Sequence, residues 1–122
     1  MGKMSRDKGA RGELEAAELI RKHGFQAFRG VQHAGGPDSQ DVKHNVPGVH
    51  FEVKRTEALG LYQAIEQAKE DRKPGDIPTV LHKRNKMEWL AILPARSFLG
   101  LMKELCDMQD KIDRLEAKHG KE

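Results

Sequence analysis

Apolar positions between Asp7 and His23 return every three or four residues (Ala10, Leu14, Ala17, Ile20), which is the period of an amphipathic helix, and Gly24 supplies its stop. Glu18 and Lys22 make an exposed i,i+4 pair on the same helix. FQAFR (Phe25 to Arg29) reads as a strand, and GVQHAGGPDSQ after it as a Gly/Pro turn region. A short strand can start at Asp41-Val42. After the Pro47-Gly48 turn, VPGVHFEVKR alternates strictly, with Val49, Phe51 and Val53 on one face and His50, Glu52 and Lys54 on the other. LGLYQAIEQAKEDR is a second helix ended by KPGD, and IPTVLH, the turn KRNK and MEWLAIL form a hairpin. From Ala95 onward the chain is helical again. The order is helix, three strands, helix, two strands, helix: an α/β or α+β domain whose mixed sheet is flanked by helices.

The last helix carries a different period. Phe98, Leu101, Leu105, Met108, Ile112 and Leu115 alternate spacings of three and four, the a/d seam of a two-helix coil, and the rest of the segment is strongly charged. Such a narrow stripe suits a partner helix better than a broad sheet, although the turns from Phe98 to Leu105 can also pack on their own domain. In a parallel pair Lys111 at g faces Glu116 at e of the other chain. The expectation is a domain over residues 1–94 and a dimerising C-terminal helix over 95–122, giving a homodimer.

Composition changes this picture only a little. At 122 residues the chain is long enough for one core and short for two. Net charge is +3 with charged residues at 34%, so any basic surface must be local. No stretch resembles a secretory leader or a membrane span, so a cytoplasmic protein without membrane contact is expected. Cys106 is the only cysteine, which rules out an intramolecular disulfide or a thiolate zinc cluster and leaves it an ordinary helix residue.

Candidate chemistry gathers in the first half. Ala16, Ala17 and Ile20 stand three, four and seven positions after Glu13, so Glu13 shares the core-facing side of the first helix, unlike Glu15 and Glu18. A carboxylate there must find a cation or donors. An arginine such as Arg29 is one solution, and a metal or phosphate role is the other. Glu52 and Lys54 point the same way from one strand, and a strand starting at Asp41 can bring a second carboxylate beside Glu52. Converging carboxylates repel unless a proton or a hard divalent cation lies between them, and an adjacent lysine can orient an attacking water. The basic groups in KMSRDKGAR (Arg6, Lys8, Arg11) and HKRNK (Lys83, Arg84), with Arg55 and His33, are candidate phosphate contacts that would position a duplex without reading it.

The segment from Arg6 to Leu93 resembles the PD-(D/E)XK nuclease superfamily, and within it the Holliday junction resolvase branch, especially small phage and prophage members. The matching stretches are KGARGELEAAELIRKHGFQAFR, PDSQDV, FEVKR and LYQAIEQAKED. The resemblance implies a restriction-endonuclease-like mixed sheet flanked by helices. It implies that Glu13, Asp41 and Glu52 hold Mg2+, with Mn2+ as a substitute, that Lys54 is catalytic, and that Arg29 touches the scissile strand. It also implies a place near the site for Gln67, with Gln63 one turn earlier. The literal Pro-Asp is Pro37-Asp38, but Asp41 fits a strand start better, so Asp41 is assigned as the ligand and Asp38 as a supporting residue. Leu14 stands where archaeal members often carry an arginine, so that phosphate contact of the family has no counterpart at this position. The expected activity is Mg2+-dependent DNA hydrolysis at four-way junctions. The alternatives are a nuclease for flaps or linear duplex, and a non-cleaving DNA-binding scaffold.

Overall fold

The computed structural model describes residues 3–30 and 41–120, with side chains from Gly9 onward in the first helix. It is a mixed α+β fold of three helices and two small sheets. Helix α1 (Lys3–Lys22) begins before the apolar repeat does, and it closes where the His23 amide donates to the Ile20 carbonyl and the Gly24 amide to that of Arg21. Gly24 has φ +93°, the left-handed conformation that ends a helix cheaply only in glycine.

Strands β1 (Ala27–Arg29) and β2 (Val42–His44) pair antiparallel as a separate ribbon. Strand β3 (Val49–Arg55) pairs parallel with β4 (Ile77–Lys83) through the crossover helix α2 (Leu61–Asp71), and β5 (Leu90–Ile92) returns antiparallel to β4. Helix α3 (Ala95–Gly120) follows. The element order is that of the apolar pattern, but the single mixed sheet expected from it divides in two. β2 approaches β3 without forming a ladder with it, because a side chain, that of Asp41, takes the Val53 amide at 2.7 Å on the edge that a neighbouring strand would otherwise occupy.

Both faces of β3 and β4 are covered. On one side Ala16, Ala17 and Ile20 of α1 close with Ala27, Val42 and Leu81 over Phe51 and Val53. On the other, Ala64 and Ala68 of α2 pack on Val80. The face carrying His50 and Glu52, which alternation alone marks as the wet one, is therefore interior, as expected when a crossover helix lies over parallel strands.

One close approach positions α1. A Cβ added at Gly12 would lie 2.5 Å from the Cβ of Arg55, so only glycine lets the helix sit this near to β3. Gly12→Ala is expected to push the two elements apart at about 1–3 kcal/mol, more than the ~1 kcal/mol that alanine gains in helix propensity. Urea unfolding should therefore show a lower midpoint than the parent protein.

Candidate active site

The site is built on the open edge of β3. Period-two geometry places His50, Glu52 and Lys54 on one face, and the register sets Glu52 beside Val80 and Lys54 beside His82, under α2. Glu52 is 6% exposed. One of its oxygens lies 3.8 Å from the Lys54 ammonium and the other 3.6 Å from His50 Nε2. Both contacts are longer than a hydrogen bond. His50 Nε2 is itself buried without a hydrogen-bond partner, so a carboxylate and an imidazole share an interior pocket that neither fully satisfies.

Two further acids reach this edge from other elements. Glu13, on α1, accepts from Arg29 Nε on β1 at 3.0 Å, the arginine pairing expected of a core-edge carboxylate. Its pKa is nevertheless raised: burial disfavours the charged form more than Arg29 restores it, and the Glu52 carboxylate pushes the same way. Asp41 precedes β2 and is fixed through its bond from the Val53 amide, one residue beyond Glu52. Glu13, Asp41, Glu52 and Lys54 thus come from three separate stretches of sequence to one strand edge. They do not close into a ready-made cage, since among the described residues no three His, Cys, Asp or Glu side chains are placed to hold a metal ion.

A cavity of about 400 Å³ opens beside Lys54, lined by Thr56, Gly60 and the α2 residues Gln63 and Gln67. Gln67 is tied to Asp71 at 2.8 Å, which orients its amide. The cavity lies toward the C-terminal ends of the parallel strands, where open α/β sheets bind their ligands. Nearby, Arg11, Glu15, Arg55 and Asn85 line a second recess of about 340 Å³. Arg55 pairs with Glu15 at 3.3 Å and donates to the Lys83 carbonyl, while Arg84 pairs with Glu57 at 3.5 Å. These basic groups share one end of the sheet, and two of them are already partly answered by acids.

The side chains of Arg6 and Lys8, on the first turns of α1, lie outside the described residues, as do His33 and Asp38 altogether. What sequence reasoning missed is the interior place of His50, two residues before Glu52 on the same strand face. The signal was present in the period of two. His44, by contrast, packs on Phe51 with ring centroids 4.7 Å apart, and its Nδ1 accepts from the Val46 amide. Burial and the neighbouring His50 lower its pKa, which keeps it neutral and structural.

No helix among the described residues is long and apolar enough to cross a membrane. Searches against protein-family models, curated proteins and solved structures each find no match.

Proposed function

We propose that the protein is a divalent-metal-dependent endonuclease that hydrolyses DNA phosphodiester bonds, with a restriction-endonuclease-like core and four-way junctions as its preferred substrate. The observation that carries this reading is the meeting of Glu13, Asp41, Glu52 and Lys54 at the edge of β3. The donor set suits a hard cation: the acids offer only oxygen, the one cysteine lies far along the chain on α3, and the burial that chiefly raises Glu13, with a smaller push from the Glu52 carboxylate, is a penalty that a bound cation would offset. Glu13, Asp41 and Glu52 would hold Mg2+, which when bound supplies Lewis acidity toward a phosphodiester.

The chain's own groups do the rest. Lys54, half-buried beside the cavity, places a positive charge where the attacking water and the developing phosphorane charge must be stabilised. Arg29 holds Glu13 and offers its remaining guanidinium donors to a phosphate. Gln63 and Gln67 present amides to whatever enters the cavity. Arg11, Arg55, Lys83 and Arg84 supply backbone contacts along one end of the sheet.

Cleavage of a synthetic four-way junction is expected in Mg2+ or Mn2+ and not in EDTA, whereas Ca2+, less exacting in geometry, should allow binding with little cutting. Undiminished cutting in EDTA would remove the metal from the mechanism. Equal cutting of linear duplex would shift the substrate away from junctions, and binding without cutting in any metal would leave a scaffold.

A further inference from the structure

Helix α3 is the largest element of the fold that the fold itself does not use. Over its 26 residues no side chain is buried, and Phe98, Leu101, Leu105, Met108, Ile112 and Leu115 remain between 37% and 60% exposed. The alternative that its first turns pack on their own domain is not realised. A helix of this length, spanning about 39 Å, draws most of its stability from packing an apolar face. We infer that the missing cover is a second copy of the same helix, paired parallel and in register as a two-stranded coil.

The charges and the shape of the stripe decide between orientations. With Ile112 at a and Leu115 at d, Lys111 falls at g and Glu116 at e, so a parallel pair places Lys111 against the partner's Glu116 on both sides of the seam. Glu104 at g meets the partner's Gln109. The Lys103–Asp107 ion pair, at 2.9 Å, lies at f and c on the outer surface and is left undisturbed. An antiparallel pair burying the same six residues also finds one favourable pairing, Glu104 with the partner's Lys111. The apolar stripe, however, is not symmetric end to end. Leu99 and Met102 widen it in the first half only, and both are exposed. Parallel pairing sets that broad half against itself, whereas antiparallel pairing sets Met102 beside the partner's Gln109 and Leu99 toward its Arg114.

Because α3 leaves the core through Pro94 at its N-terminal end, parallel pairing holds both cores at the same end of the coil. Two sites would then face one branched DNA and could make matched cuts. That consequence rests on the nuclease reading, but the pairing does not.

The tests read assembly rather than cleavage, so they fail independently of the proposed activity. Light scattering of the full chain at micromolar concentration should report about twice the 13.8 kDa chain mass, and a monomer would overturn the inference. In a Cys106→Ser/Met108→Cys variant, two thiols meet in a d layer, and oxidised glutathione should convert them to an interchain disulfide. The exposed native Cys106, at b, should form none when Met108 is intact. A dimer in which neither Met108→Cys nor Leu101→Cys cross-links, each in the Cys106→Ser background, would overturn the parallel register. Leu105→Lys/Ile112→Lys should give a monomer whose thermal unfolding matches that of the parent core, since neither residue is buried against it. A dimer that survives this pair of changes would place the interface elsewhere.

Discussion

Replacing Glu52 by glutamine is expected to lower DNA cleavage by about 100-fold or more while leaving the metal-free protein at least as stable as its parent. The side chain is interior, and its two nearest basic neighbours, His50 and Lys54, stand at 3.6 and 3.8 Å, too far to form full hydrogen bonds with it. A buried carboxylate that poorly compensated costs folding free energy, and an amide of the same shape removes the charge without opening a cavity. In the proposed mechanism that cost is offset by the part Glu52 would play as a ligand or a base. Single-turnover cleavage of a junction should fall steeply, DNA affinity should hold or rise as repulsion of the phosphates is removed, and the thermal midpoint should not drop. A variant that unfolds early, or that cuts as well as the parent, would return Glu52 to a structural role.

Much of this arrangement was legible in the chain because it depends on local period. The alternation of VHFEVKR put Glu52 and Lys54 on one face, and Ala16, Ala17 and Ile20, three, four and seven positions after Glu13, put Glu13 on the packed side of α1. The Glu13–Arg29 pair followed from the cost of an unpaired charge at a core edge. What was not legible depends on a second element arriving. Whether the Glu52 face was wet or dry was decided by α2 folding back over β3, and no residue of VHFEVKR encodes that. For the same reason the alternation did not reveal that His50 is 3% exposed and lacks a partner at Nε2.

The split into two sheets turns on a single side chain. Asp41 was read as the start of a strand running beside β3. Its carboxylate, rather than its backbone, makes the contact, taking the Val53 amide while β2 ladders only with β1. Asp41 is thereby fixed against the strand that carries Glu52, and one substitution there would disturb both the edge of β3 and the acid cluster. Gly12 is similar. A glycine inside a helix is costly, and its purpose emerges only when Arg55 arrives from forty-odd residues further on.

Lys54→Ala should slow the chemical step by roughly 100- to 1000-fold, the scale of a lost transition-state electrostatic contact, with a smaller loss of stability. The Lys54 side chain is 38% exposed, and its ammonium is close enough to Glu52 to moderate its charge but is not buried with it. Its removal leaves the interior carboxylate with one fewer positive neighbour, at about 1 kcal/mol or less after solvent screening. The larger effect comes from the cavity that Lys54 lines, where its charge has no substitute: Gln63 and Gln67 offer dipoles only. Lys54→Arg should recover stability without recovering the rate, because a planar guanidinium cannot take the position of a compact ammonium in a cavity already framed by two glutamine amides. Single-turnover rates at saturating protein separate this from a binding defect, since in the proposed reading junction affinity would rest on Arg11, Arg55, Lys83 and Arg84 and should barely change. If the arginine variant cuts at the parental rate, Lys54 supplies charge without placement. If the alanine variant does so, the lysine has no part in the chemistry and belongs to the folded state alone.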